Sequence, residues 1–227
     1  MEMLKLIKND SGLKAYQDAI VGRYKYFCKK KNEIEVSNKS LSDFATGYLY
    51  FGLHKIAKHW VLREWAPNAT NIYLIGTFNN WQESEEYRLK KISNGVWEIE
   101  LPAKAMSHLD LYKLKVYWNG GCGERIPAWC RRVVQDDNTK VFSAQVWAPE
   151  NPYKFKINKH KPNTTPLLIY EAHIGMAGEE EKVSSYTEFK DNVLPRIVAD
   201  GYNCVQLMAI QEHPYYGSFG YHVSSGY

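Results

Sequence analysis

Cysteine is scarce in this chain. The four residues Cys28, Cys122, Cys130 and Cys204 lie far apart and form no Cys-x-x-Cys pair. That excludes a disulfide framework and a thiolate zinc site, and it fits a reduced, intracellular protein. Long apolar runs are also missing. None reaches the ~18 residues that span a bilayer, and the opening residues Met1 to Lys8 hold no apolar core of a secretory leader. The expectation is a cytoplasmic protein with no membrane partner. Charge of one sign is not in excess either: 29 Lys and Arg against 25 Asp and Glu leave +4, which gives no electrostatic ground for nucleic acid. No low-complexity tract and no internal repeat occurs.

What is abundant is aromatic. Seventeen Tyr and seven Trp help bring the aromatic share to 14%. Exposed aromatic faces stack on flat apolar ligands, sugar rings included. The 227 residues are enough for one complete domain and part of another, and 44% apolar residues exclude a disordered chain.

Four textures follow one another. Residues 1–46 read as a helical lead segment, with Leu13, Tyr16, Ile20, Tyr24 and Phe27 on one helix face. Asn9, Asp10 and Ser11 offer its cap, and Lys29 to Lys31 sit where a helix C-terminus favours cations. Residues 47–150 read as all-β, with strands at 60–65, 72–76, 95–101 and 112–118, separated by Pro and Gly turns. Short strands in that pattern predict a sandwich, whose core takes Trp65 and Trp97. Residues 151–165 are a connector in which Lys154 and Lys156 alternate with Tyr153, Phe155 and Ile157, the pattern of one edge strand. From 166 to 227 the period changes again. Leu167 to Glu171 and Cys204 to Met208 are short apolar strands, and Phe189, Val193, Leu194 and Ile197 form a helical stripe between them. Ser185 and Glu188 have capping-box spacing, Pro195 should kink the helix, and Gly201 should end it. Strand, helix, strand over this length is a βαβ unit with parallel strands.

The turn Gly76-Thr77-Phe78-Asn79-Asn80-Trp81 has two readings on physics alone. Trp81 packs the turn onto the sandwich, or it stacks on a pyranose whose hydroxyls reach the amides of Asn79 and Asn80. Lys113 and Trp118 lie on a strand that flanks the same face. His173, near a strand end, reads as a satisfied structural histidine. Glu171 reads as a structural hydrogen-bonding group, and Glu212 and His213 as residues that fix a loop.

The motifs Arg63-Glu64-Trp65-Ala66-Pro67-Asn68-Ala69, Gly76 to Trp81 and Gly95-Val96-Trp97-Glu98-Ile99 together resemble a family 48 carbohydrate-binding module. Ile169-Tyr170-Glu171-Ala172-His173-Ile174-Gly175, Asn192 to Ile197, Gly201 to Ile210 and Glu212 to Tyr221 are similar to the first barrel strands of 1,4-α-glucan branching enzymes in glycoside hydrolase family 13. Nearly the whole chain is covered, in the family's order. His222 stands where that family commonly has Gln.

The resemblance implies a multidomain fold: an N-terminal helix, an immunoglobulin-like β-sandwich, then the first βαβ portion of a (β/α)₈ barrel. It implies cleavage of an α-1,4 glucan chain and transfer to a C6 hydroxyl, through two carboxyl groups about 5 Å apart. It places those carboxyls on later barrel strands, beyond residue 227. A whole barrel takes roughly 250 residues, and only 62 follow from Pro166 onward. The chain alone is therefore expected to be inactive, with no catalytic residue, no metal and no other cofactor. The partner implied is an α-glucan such as glycogen, starch or amylose. Tyr221 matches the family tyrosine that stacks under the sugar at the cleavage site. Three rivals stand beside this reading: a non-catalytic α-glucan-binding protein, a fragment of a debranching hydrolase, and a scaffold whose module binds protein.

Overall fold

The structure is a computed structural model that describes residues 5–35, 40–157, 165–224 and 226. Two compact units divide the chain, residues 1–50 and 51–227.

In the first unit, α1 (Lys5–Asn9) leads through a 3₁₀ turn (Ser11–Tyr16) into α2 (Gln17–Glu35). Asp10 caps this passage by accepting the Gly12 N–H at 2.9 Å. Ile20, Tyr24 and Phe27 of the expected stripe lie on α2, while Leu13 and Tyr16 fall in the 3₁₀ turn before it, and Tyr16, Tyr24 and Phe27 are exposed. The lysine run does not end the helix. α2 continues to Glu35, so Lys30 and Lys31 pair with Glu33 and Glu35 one turn on, at 2.6 and 2.5 Å. A capping box of Ser40 and Asp43 starts the short α3 (Leu41–Phe44).

The second unit opens with nine strands: β1 (Gly52–Ile56), β2 (His59–Trp65), β3 (Ala69–Gly76), β4 (Lys90–Ser93), β5 (Val96–Pro102), β6 (Leu111–Trp118), β7 (Gly121–Arg125), β8 (Val133–Gln135) and β9 (Phe142–Gln145). One antiparallel sheet has the order β1-β2-β5-β4. The other runs β3-β6-β9-β8, with β7 on β6. The alternating residues of both sheets meet between them. Trp60, Leu62, Trp97 and Ile99 face Ile72, Leu74, Tyr112 and Leu114 in one buried cluster. The buried indoles keep their N–H groups bonded, Trp60 to the Ala103 carbonyl and Trp97 to the Ala66 carbonyl.

The same alternation corrects one expectation. On β2 the even residues Trp60, Leu62 and Glu64 point inward, so Trp65 points out and is 58% exposed. Glu64 takes an inward place and is only 7% exposed. Its carboxylate accepts the Trp65 N–H at 3.0 Å and the Ala128 N–H at 2.9 Å. Burial nevertheless pushes its pKa above the ordinary carboxylate value.

No strand forms among the described residues of the connector. Tyr153, Phe155 and Ile157 are all exposed, and the described part of the segment pairs with no neighbour. Alternation alone does not make a strand: the backbone groups need a partner to bond. Lys159, Lys161 and Pro162 lie outside the described residues.

The last segment is a parallel pair, β10 (Ile169–His173) beside β11 (Cys204–Met208). Between them run α4 (Tyr186–Glu188), a π-helical turn (Phe189–Val193) and α5 (Leu194–Ala199). The Ser185 capping box forms in both directions. Pro195 has no N–H to give the carbonyl four residues back, and the helix widens just before it. Gly201 follows the helix in the left-handed region at φ +88°. Ala172, Ile174, Phe189 and Ile197 make a small separate core.

Candidate functional site

The 76–81 turn is built by its asparagine. The Asn79 side chain accepts the Gly76 N–H at 2.9 Å and donates to the Leu74 carbonyl at 3.0 Å. Its amide is therefore committed to the turn. Gly76 is needed where it stands, because a Cβ there would overlap the Leu111 carbonyl oxygen. Asn80 and Trp81 then both enter the left-handed region, at φ +53° and +61°. Asn tolerates that conformation; a bulky Trp rarely occupies it. The Trp81 N–H closes the turn on the Gly76 carbonyl at 2.8 Å. The backbone thus holds an aromatic side chain at the rim of the sheet in a costly conformation.

Lys113 meets that ring. On β6, Tyr112 and Leu114 are buried in the core, so Lys113, Lys115 and Tyr117 face outward. Lys113 Nζ lies 5.8 Å from the Trp81 ring centroid and 3.1 Å from a Glu124 carboxylate oxygen of β7. A cation over an indole face is attracted to it and pins its orientation. The pair presents an apolar ring beside hydrogen-bond donors, which suits a neutral ligand with hydroxyls at its rim.

Further along the same face, the Tyr117 hydroxyl donates to Glu83, whose two carboxylate oxygens lie 2.8 and 2.9 Å away. That bond pushes the phenol pKa up to about 12. Tyr117 packs edge-on against Tyr73 of β3, with centroids 6.2 Å apart. Sequence reasoning missed this group. The outward parity of β6 was readable, but nothing local connects Tyr117 to Glu83.

Trp118 does not join Trp81. Its parity puts it with the inward residues at the strand end, where its indole lies over Gly121 and Gly123 and Arg125 stacks 5.2 Å from its centroid. Asn80 is exposed beside Trp81. The structure thus brings Trp81 and Lys113 together, leaves Asn80 exposed next to Trp81 in the turn, uses Asn79 as the support of that turn, and separates Trp118.

At the strand ends of the parallel pair, Tyr221 is 77% exposed, and its N–H bonds the Ser218 carbonyl. Phe219 and Gly220 before it have φ +51° and +83°. Glu212 fixes this loop through its backbone carbonyl, which accepts both the N–H and the hydroxyl of Ser224. Glu171 accepts from Gln206 across the strands at 3.3 Å. His173 departs from expectation. Both ring nitrogens are buried without a hydrogen-bond partner, and the ring sits between Tyr216 and Phe219. The Tyr216 hydroxyl beside it is likewise buried without a partner. Among the described residues, no group of three His, Cys, Asp or Glu could hold a metal, and no helix is long and apolar enough to cross a membrane.

Residues 50–130 match the family Carbohydrate-binding module 48 (Isoamylase N-terminal domain). Over 97% of its length the chain is 40% identical to a 1,4-alpha-glucan-branching enzyme of Dictyostelium discoideum and 43% identical to one of Rhizophagus irregularis. It spans about a third of each relative, 33%. Among solved structures, a pullulanase from Bacillus acidopullulyticus superposes with a TM-score of 0.59 at 17% identity, covering 72% of this chain and 22% of that one. At that identity the likeness concerns the fold alone.

Proposed function

We infer that the chain belongs among the 1,4-alpha-glucan-branching enzymes, as the part that carries the carbohydrate-binding module and the first two strands of the catalytic barrel. Forty per cent identity along nearly the whole chain supports this reading, as does the parallel β10–β11 pair with its intervening helix. In such an enzyme the chemistry belongs to carboxylates on later strands. The role of this chain is to capture α-glucan and to supply one wall of the cleft.

The observation that carries the binding role is the Trp81–Lys113 pair. Trp81 supplies an apolar face for a pyranose ring, held in place by the left-handed turn. Lys113 supplies donors for the hydroxyls around that ring, and exposed Asn80 adds an amide. Tyr221, exposed at the C-terminal end of the parallel strands, is the residue proposed to stack under the sugar at the cleavage site. C-terminal strand ends are where barrel enzymes keep their sites.

Native electrophoresis in a gel containing glycogen tests the binding role. The chain should be retarded, and Trp81→Ala should migrate as it does in a gel without glycogen. Equal retardation of both would remove Trp81 from the site. The chain alone should create no α-1,6 linkages in amylose; new linkages would overturn the assignment of chemistry to later strands.

A further inference from the structure

The outward face of the second sheet carries an aromatic group that the Trp81–Lys113 site does not use. Tyr117 lies four residues beyond Lys113 on β6, about 13 Å along the strand. It shares the outward parity of Lys113 and Lys115. Inward neighbours of the same strand serve the core; Tyr117 does not. Yet its ring is held from two directions. Glu83 fixes the hydroxyl through both carboxylate oxygens, and Tyr73 packs edge-on against the ring at 80°. Tyr73 is itself fixed. Its hydroxyl donates to Glu85 at 3.2 Å and accepts from Asn71 at 3.1 Å. Arg88 lies 6.0 Å from its ring centroid and bonds both Asn71 and Glu85.

A ring so ordered before any ligand arrives loses little freedom on binding. Carboxylates accept hydrogen bonds from hydroxyls, so Glu83 offers acceptors to a polyhydroxyl chain, while Glu85 is paired with Arg88. Lys115 lies between the two aromatic positions, in register with Tyr73 and Glu124, and offers donors to the stretch of sugar in between.

We propose that Tyr117, backed by Tyr73, is a second glucan contact on this face, so that one α-glucan chain runs along β6 from Trp81 to Tyr117. This rests on the binding role proposed for Trp81. It makes the face a reader of chain length: a disaccharide covers one aromatic position, and a longer chain covers both.

The test is titration of the full chain with maltose and with maltoheptaose, followed by NMR or calorimetry. Tyr117→Ala should weaken maltoheptaose about fivefold, the worth of one aromatic contact, and leave maltose unchanged. Tyr117→Phe, which keeps the ring, should bind maltoheptaose within about twofold of the wild type. If Tyr117→Ala disturbs the fold by near-ultraviolet circular dichroism, Tyr117→Leu keeps apolar volume on the strand and should show the same selective loss. Trp81→Ala should weaken both sugars. Where Trp81→Ala weakens both and Tyr117→Ala weakens neither, or both equally, the second contact is overturned and the first stands. Where Trp81→Ala changes neither, the site itself is wrong and the second contact falls with it.

Discussion

Ala128 donates its N–H to the buried carboxylate of Glu64 at 2.9 Å, across 64 residues of sequence. Glu64 accepts the Trp65 N–H with its other oxygen, so one inward-facing acid ties the end of β2 to the segment before β8. Glu64→Ala leaves two N–H groups without that acceptor and should cost about 2–4 kcal/mol of unfolding free energy in urea. A cost below about 0.5 kcal/mol would mean that the 126–130 segment holds itself.

The same residue gives a pH signature. Burial raises its pKa in the folded state, so the folded chain binds this proton more readily than the unfolded one. Its contribution to stability is greatest below the unfolded value and falls as pH rises through the folded value. Glu64→Gln removes that component. The wild type should therefore lose more stability than the variant as pH rises above the ordinary carboxylate value, measured by urea midpoints.

Glu188 has the opposite sign. Lys182 and the Ser185 cap hold its carboxyl down at about 2, against 4.5 ordinarily. The stability it lends the start of α4 is fully present above the unfolded value and is lost as pH falls from there toward 2. Hydrogen exchange of residues 182–190, corrected for its intrinsic pH dependence, should speed up between pH 5 and pH 2.5. The effect should shrink in high salt, because the pair is exposed.

Asn79 and Asn80 look alike in sequence and differ in the fold. Asn79→Ala deletes two bonds of the turn and should cost about 1–2 kcal/mol, weakening sugar binding by loosening Trp81. Asn80→Gly keeps the left-handed backbone and should shift stability by no more than about 0.5 kcal/mol. Any change in its glycan affinity then reports on the amide itself. Thermal melts and sugar titrations of the two variants separate support from contact.

Two glycines of the parallel segment should rank clearly. Gly201 has φ +88° with open space around it, so Gly201→Ala meets only the backbone penalty of about 1 kcal/mol. Gly220 has φ +83°, and a Cβ there would lie 2.5 Å from the Ala209 Cβ. Gly220→Ala should cost more and should raise hydrogen exchange through residues 209–224, the loop that presents Tyr221.

What was legible in the sequence was what repeats locally. Period two placed the strands of the sandwich, and the Ser185 box and Gly201 marked both ends of the helical stretch. The Asn-Asn-Trp turn was legible as a surface Trp beside amides. Illegible were the relations set by register across strands. Trp65 was expected inside because its run alternates, and alternation alone does not say which parity faces the core. Trp118 shares β6 with Lys113, but an odd separation puts them on opposite faces. Asn79 was read as a ligand group because its bonds to Gly76 and Leu74 exist only once the turn closes. The 153–157 alternation failed for want of a partner strand, and the rings against His173 come from Tyr216 and Phe219, far along the chain.

The most direct test is a crystal structure of this chain with a bound malto-oligosaccharide. A sugar ring should lie on the Trp81 face within hydrogen-bond reach of Lys113 Nζ, with the chain continuing along β6. An oligosaccharide seated elsewhere, with the Trp81 face open to solvent and empty, would contradict it.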